Sequence, residues 1–140
     1  MTPDDVAAIH ALVDRFYAIF TNARGLHPKV ADIHELFIPE GLIVRAVGGT
    51  VETYGLESFI RPRLKILTDG TLVDFSEWET DAQTQIFGAI ALRVSHYSKH
   101  GVLSGQPFDA SGVKMMQFVR TGGEWKFACV SWFDVVPVEP

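Results

Sequence analysis

The spacing of apolar residues changes near Thr71. Before that position they recur every three or four residues, which is typical of amphipathic helices. After it, four long runs over 71–82, 85–98, 110–121 and 124–135 have the composition of β-strands. A chain that places its helices first and its antiparallel strands later is expected to fold as an α+β protein rather than as alternating βαβ units.

Three helices are predicted in the first half of the chain. The first follows Thr2, which is a good N-cap residue, and Gly25 is expected to end that segment. A second helix is predicted over 28–37, and a third from about 56 to 70. Pro62 lies inside the third pattern, where it is expected to kink the helix or to mark the start of its regular part.

Paired glycines mark two tight turns. Gly48-Gly49 separates strand-like segments over 42–47 and 50–54, and Gly122-Gly123 separates the last two long strands. Both glycines of such a pair accept the positive φ that a two-residue hairpin needs. A polar loop is expected over 99–109, between the second and third long strands.

Size and charge limit the class of protein. With 140 residues the chain is expected to form one domain over 1–140, and an apolar fraction of 47% supplies a packed core. The net charge is −5 and the 12 Lys and Arg residues are scattered, which argues against nucleic acid as a partner. Cys129 is the only cysteine, the start lacks a signal-peptide pattern, and no apolar run is long enough to cross a membrane. We therefore expect a cytoplasmic protein without membrane contact.

The strand predicted over 85–98 is largely apolar on both faces. Its even positions include Ile90 and Leu92, and its odd positions include Phe87 and Ala91. An antiparallel sheet with one wet face alternates apolar and polar residues, and the helices can cover only one face. The second apolar face therefore predicts a homodimer formed through the sheet.

Three segments of the strand region carry a resemblance to a known superfamily. The closing hairpin Gly122-Gly123-Glu124-Trp125-Lys126-Phe127, with Trp132 after it, follows strands that carry Ser95-His96-Tyr97 and Met116-Gln117-Phe118-Val119. With the order of elements, they make the whole chain resemble the nuclear-transport-factor-2-like superfamily, which includes ketosteroid isomerase and the SnoaL-like polyketide cyclases. The resemblance implies a cone in which a curved antiparallel sheet wraps around about three helices, with a pocket between them and frequent dimerisation across the sheet. It implies no single function, because this fold hosts several enzyme classes as well as transport and binding proteins.

The resemblance to ketosteroid isomerase implies an Asp base on the first strand, with a Tyr and a protonated acid as oxyanion donors. The matching strand over 42–47 has no carboxylate, and Arg45 stands near the position of that base. This departure argues against proton abstraction by the mechanism of that enzyme. Tyr17 is still a candidate pocket hydroxyl, or else a half-buried packing residue of the first helix.

Two residues of the second long strand are candidate catalytic groups. Arg93 lies mid-strand, so it either anchors an anion or carbonyl in the pocket or forms a salt bridge; the candidate partners are Glu79, Asp81 and Asp134. His96 lies on the opposite face of the strand. It is a surface or interface residue if that face is outward and the best general-base candidate if it is inward. The strand pattern leaves both orientations open.

The histidines show no metal-ligand spacing. His34-Glu35 begins like the zinc-protease helix motif, but Ile38 occupies the position of its second His. We expect no metal and no cofactor, and instead an apolar pocket with a few orienting polar groups. The predicted pocket residues are Tyr17, Phe20, Arg45, Tyr54, Phe59, Trp78, Arg93, Tyr97, Gln117 and Trp132.

The favoured function is that of a small-molecule pocket protein which binds a compact, mainly apolar or cyclic compound. If it is an enzyme, cofactor-free isomerisation, dehydration or cyclisation fits the architecture, with Tyr17, Arg93 and His96 as candidate catalytic residues. The alternative is a module without catalysis that binds a ligand or mediates dimerisation or another interaction. At this point the sequence leaves open whether the protein is an enzyme.

Overall fold

The structure, a computed structural model, describes residues 2–135 as three α-helices and a six-stranded sheet. The helices are α1 (Pro3–Ala18), α2 (Ile33–Leu36) and α3 (Leu56–Thr68), and the strands are β1 (Phe37–Val47), β2 (Thr50–Tyr54), β3 (Leu72–Phe87), β4 (Ile90–Leu103), β5 (Gln106–Thr121) and β6 (Glu124–Val135). The predicted α+β class is confirmed. Met1 and 136–140, which the predicted single domain over 1–140 includes, lie outside the described residues.

The sheet is curved and has the strand order β2-β1-β6-β5-β4-β3. All neighbouring strands are antiparallel except β1 and β6, which run parallel. The long strand β3 lies at one edge, and its pairing with β4 is interrupted by irregularities at 73–76 and at 79–81. The helices α1 and α3 pack on the concave side, which we call the inner face.

Helix α1 begins where the sequence predicts. The Thr2 side chain accepts a hydrogen bond from the Asp5 backbone N–H at 3.1 Å, and Pro3 occupies the first helical position. The apolar stripe of the helix is buried against the sheet, with Ile9 and Val13 fully covered. Its α-helical part ends at Ala18, before Gly25, and a short 3₁₀ turn over Ala23–Gly25 follows.

The second predicted helix is mostly wrong. The segment 28–37 contains only a 3₁₀ turn, Val30–Asp32, and the single α-helical turn of α2. Its large apolar residues Val30, Ile33, Leu36 and Phe37 are nevertheless buried, because the segment packs as a compact loop under α1 and α3. The helix α3 agrees with the prediction and continues through the exposed Pro62.

The turn between the first two long strands lies at 88–89 and not, as the sequence predicts, between 82 and 85. Residues Gly88 and Ala89 form it, and Gly88 has a φ of +59°. Ile86 and Phe87 therefore belong to β3, and the apolar run read as one strand is a hairpin. The predicted loop over 99–109 is likewise the end of β4, a tight turn and the start of β5. The hairpin at Gly48-Gly49 is confirmed.

The side chain of Asn22 connects three elements at one end of the inner face. Its amide donates hydrogen bonds to the carbonyl groups of Leu67 and Leu72 at 3.0 and 2.8 Å. Its carbonyl accepts one from the Phe75 backbone N–H at 2.8 Å. The segment that follows α1, the end of α3 and the start of β3 are thereby held together.

Candidate functional site

A cavity of about 450 Å³ lies between the inner face of the sheet and the helices α1 and α3. Most of its wall is aromatic or aliphatic, and a few charged groups interrupt it. The lining residues are Phe16, Phe20, Arg45, Val47, Phe59, Arg63, Ile66, Leu67, Leu72, Phe75, Glu77, Lys99, Leu103, Phe108, Ala110, Lys114, Trp132, Asp134 and Val135. A mostly apolar wall with a few convergent polar groups is the usual form of a small-molecule site.

A buried ion pair forms part of the cavity wall. The Lys114 ammonium lies 3.1 Å from a carboxylate oxygen of Glu77, and the two side chains are 6% and 7% exposed. The ammonium also lies over the rings of Tyr97 and Trp132, 4.1 and 5.0 Å from their centroids. Burial lowers the pKa of Lys114, and the neighbouring carboxylate of Glu77 opposes that shift.

A second ion pair lies beside the first. Lys99 contacts Asp134 at 2.9 Å, and the hydroxyl of Tyr97 donates a hydrogen bond to the same carboxylate. Burial and the carboxylate raise the pKa of Tyr97, so its hydroxyl stays protonated at neutral pH. Burial acts to raise the pKa of Asp134, but the hydrogen bond from Tyr97 and the charge of Lys99 outweigh it, and the pKa is lowered. We call Glu77, Lys99, Lys114 and Asp134 the cavity cluster.

The ring of Tyr97 reaches Asp134 because position 112 has no side chain. Gly112 lies between them on β5, paired with Tyr97 on one side and Asp134 on the other. A Cβ atom built on Gly112 would lie 2.5 Å from the Tyr97 hydroxyl oxygen and 2.2 Å from the Phe133 carbonyl oxygen. A glycine in the middle of a strand thus marks a close approach by another group.

Two partly exposed arginines line the cavity, and we call this part of its wall, where it reaches solvent, the mouth. Arg45 on β1 forms an ion pair with Glu52 at 2.9 Å, and Tyr54 donates a hydrogen bond to the other oxygen of that carboxylate. The guanidinium of Arg63 lies over the ring of Phe59, 4.1 Å from its centroid. It also lies 5.1 Å from the Tyr54 centroid, and burial lowers its pKa.

A further polar group on the inner face lies outside the cavity. Arg93 on β4 is 6% exposed and donates two hydrogen bonds to the carboxylate of Glu79. It also donates to the Thr84 hydroxyl at 2.9 Å and to Nδ1 of His10 at 3.2 Å. The guanidinium is therefore satisfied by the protein itself, which is the salt-bridge alternative predicted from the sequence.

The same carboxylate connects Arg93 to the helix α1. The Ser95 hydroxyl donates to Glu79 at 2.5 Å, so it accepts the hydrogen bond from the Tyr17 hydroxyl at 2.7 Å. Burial raises the pKa of Tyr17, and its hydroxyl is a donor at neutral pH. We call Tyr17, Glu79, Thr84, Arg93 and Ser95 the sealed cluster, because α1 covers it.

The structure places four of the predicted pocket residues on the cavity wall: Phe20, Arg45, Phe59 and Trp132. Tyr54 lies at the mouth through its contact with Arg63. Tyr17, Arg93 and Tyr97 point to the inner face but are buried in hydrogen-bonded contacts instead of lining the cavity.

Three predicted residues lie on the opposite face. His96, Gln117 and Trp78 are exposed and point outward, because their strand positions have the other parity from the buried Tyr97, Met116 and Glu77. Their expected place in the pocket is corrected accordingly, and His96 takes the surface position that the sequence left as one of two alternatives.

The sequence reasoning missed Lys114, Glu77 and Arg63. Lys114 sits in an apolar strand at the inward parity, next to Met115 and Met116. The test that singled out Arg93, a charge in the middle of a buried strand, would have found it as well. Arg63 had no comparable signal, because a helix pattern alone does not show which polar residue faces a cavity.

Among the helices of residues 2–135, none has the length and apolar character needed to cross a membrane. Within the same residues, no group of three or more His, Cys, Asp and Glu side chains is arranged to hold a metal ion.

The overall fold is similar to that of several solved structures. A protein from Cytophaga hutchinsonii described as NTF2-like has a TM-score of 0.71 and 15% identity, with 96% of this chain and 100% of that chain covered. An uncharacterised protein with a cystatin-like fold from Caulobacter vibrioides has a TM-score of 0.73 and 20% identity, with 94% and 90% covered. A candidate calcium/calmodulin-dependent kinase II association domain from Exiguobacterium sibiricum has a TM-score of 0.75 and 11% identity, with 99% of both chains covered.

These structures define the class of fold. The chain has the nuclear-transport-factor-2-like fold, as the resemblance in its sequence implied. The sequence itself matches no family model and no curated protein. At identities this low the similarity establishes the fold and carries no activity with it.

Proposed function

We propose that the protein binds a compact, mainly apolar molecule in the cavity between the sheet and the helices α1 and α3. The cavity of about 450 Å³ carries this proposal, because its wall is largely apolar and one buried and one partly buried ion pair contribute to that wall. A wall of this composition buries an apolar ring favourably and offers polar groups that orient it. Protein interiors are close-packed, so an interior without a ligand site is expected to contain no cavity of this volume.

The test is to fill the cavity. The substitution Ala110→Phe adds a ring to the wall, and Ala46→Phe adds the same ring at an exposed position of β1, outside the cavity. The probe is a neutral solvatochromic naphthyl ketone, whose emission shifts in an apolar site. We expect Ala110→Phe to reduce its affinity at least tenfold, whereas Ala46→Phe leaves it unchanged. Equal binding to both variants and to the unaltered protein would contradict the proposal.

Cofactor-free proton transfer is a second candidate function. It is favoured by the Glu77 carboxylate, which is buried and borders the cavity beside the Lys114 ammonium. In this reaction Glu77 would remove a proton from the carbon next to a carbonyl group, and a solvent proton would later return to that carbon. Incubation of 2-tetralone in D₂O tests it by NMR. Catalysed deuterium exchange that Glu77→Gln abolishes would support an enzyme, and the uncatalysed rate would leave binding as the function.

The outer face of the sheet supports a homodimer. Leu92, Met115 and Phe133 are exposed there on three neighbouring strands, and the outward positions of these strands between 92–98, 111–117 and 129–133 carry no Asp, Glu, Lys or Arg. An apolar patch without Asp, Glu, Lys or Arg is suited to pairing with its own copy by a two-fold axis. The proposal includes a cytoplasmic location, in which the free Cys129 stays reduced.

Sedimentation tests this homodimer. Met115→Glu places a charge at the centre of the patch, and we expect it to produce monomers. Thr80→Glu, on the edge strand β3, adds the same charge at an exposed position and is expected to leave the dimer intact. A monomeric unaltered protein would end this part of the proposal.

A further inference from the structure

The charged groups of the cavity are almost, but not completely, balanced by one another. Lys114 pairs with Glu77, and Lys99 pairs with Asp134. Arg45, at the mouth, pairs with Glu52 at 2.9 Å. Of the four cations that residues 2–135 place on the wall, three thus have a carboxylate partner, although the whole chain has a net charge of −5.

Arg63 is the fourth cation. Among residues 2–135, no carboxylate lies within salt-bridge distance of its guanidinium. The nearby Glu52 already accepts from Arg45 and Tyr54, one on each oxygen. Counted over the described residues, the cavity therefore has one positive charge in excess at its mouth.

The orientation of Arg63 is fixed by aromatic rings. Its guanidinium lies over Phe59, and the rings of Tyr54 and Trp132 lie 5.1 and 5.3 Å from it. Phe59 in turn packs edge-on against Tyr54 and against Trp132. Stacking holds a guanidinium by its face and leaves the N–H groups on its edge free to donate.

A carboxylate is the group that fits this arrangement. Two parallel N–H groups of an arginine match the two oxygens of a carboxylate, and such bonds are shorter and stronger than neutral ones. Partial burial strengthens the attraction, because less water screens it. The uncharged sides of the cavity would take the apolar body of the same molecule.

We infer that the ligand is an apolar monocarboxylate whose acid group pairs with Arg63 at the mouth while its ring or chain fills the cavity. The inference rests on the proposed binding function and names the class of ligand for it. One excess cation calls for one anionic group, and a dianion would lack a partner for its second charge.

The experiment compares two probes of equal shape. Calorimetry measures the affinity of 2-naphthoate and of 2-naphthamide, which differ only in the charge of one group, for the unaltered protein. We expect the carboxylate to bind about tenfold to a hundredfold more tightly, as a charge-assisted hydrogen-bonded pair provides. Equal affinities would overturn the inference and leave the proposed function standing, and binding of neither probe would overturn both.

Variants then assign the effect to Arg63. Arg63→Met keeps an aliphatic stem over Phe59 and removes the charge, so the preference for the carboxylate should disappear while the carboxamide still binds. Arg61→Met is the matched control: it lies on the same helix, is 82% exposed and causes the same change of net charge. Arg63→Lys keeps the charge without the planar donor pair and should retain part of the preference. A preference that survives in Arg63→Met would overturn the assignment, and the carboxamide affinity shows in each case that the variant is folded.

Discussion

Glu77 and Glu79 are neighbours on the inner face of β3, and each holds a buried cation, yet their surroundings differ. The side chains of the Arg93–Glu79 pair are 6% and 9% exposed, and those of the Lys114–Glu77 pair are 6% and 7% exposed. The sealed cluster lies under α1, however, and the cavity cluster borders an open space of about 450 Å³. The two ion pairs are therefore about equally buried, but only the Lys114–Glu77 pair borders a cavity.

The difference lies in how completely each cation is satisfied. Arg93 donates to a carboxylate, a hydroxyl and an imidazole nitrogen, which uses most of its donors. Lys114 has one carboxylate and otherwise faces aromatic rings. A cluster whose donors are mostly used and which is covered by a helix has little to offer a ligand, whereas a cluster beside a cavity can still contact one. Low exposure alone does not identify a functional charge.

The largest expected effect is that of Arg93→Met. It leaves Glu79 buried without its cation, and breaking a buried pair in this way costs about 3–5 kcal/mol. Urea unfolding of the variant measures the free energy of unfolding. Because Arg93 does not line the cavity, the folded fraction should bind the naphthyl ketone probe as the unaltered protein does.

The double variant Arg93→Met, Glu79→Leu is the control for this result. It removes both charges and should recover much of the lost stability, since apolar replacement of a buried pair is often nearly neutral. A loss of binding in Arg93→Met without a loss of stability would reverse the comparison and make Arg93 a ligand anchor.

A smaller effect is expected for Lys114→Met, about 2–3 kcal/mol. The cost lies at or below the lower limit of the range for a broken buried pair, because Glu77 borders the cavity and is within reach of solvent. The same substitution changes the cavity wall, so probe affinity should change as well. If Lys114→Met were as unstable as Arg93→Met and bound the probe as the unaltered protein does, the cavity cluster and the sealed cluster would not differ in their contact with a ligand.

Asp134→Asn is expected to act through pH, with a loss of about 1–2 kcal/mol at neutral pH as its charged hydrogen bonds are weakened. The pKa of Asp134 is lowered in the folded protein from an ordinary value of 3.8. Its contribution to stability is therefore present above pH 3.8 and is lost as pH falls through the lowered folded value. The asparagine variant should show a shallower decline of the unfolding free energy between about pH 4 and 2. Parallel curves for the two proteins would show that Asp134 does not contribute to acid unfolding.

The smallest effect is expected for His10→Ala, within about 0.5 kcal/mol. His10 accepts from Arg93 at 3.2 Å, but its side chain is 59% exposed, so water can replace it. Thermal unfolding at pH 8 checks this. A loss of stability comparable to that of Arg93→Met would show that His10, on the surface of α1, belongs to the sealed cluster.

Local signals predicted several elements well. The Thr2 cap with Pro3, and the Gly48-Gly49 hairpin, depend on a few adjacent residues, and the structure contains both. The turn at Gly88-Ala89 was missed because apolar residues flank it on both sides, so the pattern reads as one continuous strand. The short α2 was overestimated, since burial of its apolar residues comes from tertiary packing and gives a helix-like spacing without a helix.

The site was less predictable than the fold. The alternation of residues along the strand predicted that Arg93 and His96 lie on opposite faces of the sheet. Because a buried guanidinium needs a carboxylate partner, Glu79 was one of the predicted partners, and the structure contains that pair. The arrangement of Arg63 over Phe59 and beside Trp132 joins a helix to the last strand, which no local pattern encodes. The role of Gly112 depends in the same way on Tyr97 reaching across one strand to the next.

The edge strand β3 has a consequence for how the protein behaves at high concentration. Its irregularities at 73–76 and at 79–81 interrupt the row of free backbone groups, and exposed Asp74, Thr80 and Asp81 lie at or near them. A charged and irregular edge is a poor template for the addition of another strand. The addition of strands from other copies is thereby disfavoured along this side of the sheet, even though the outer face of the same sheet is apolar.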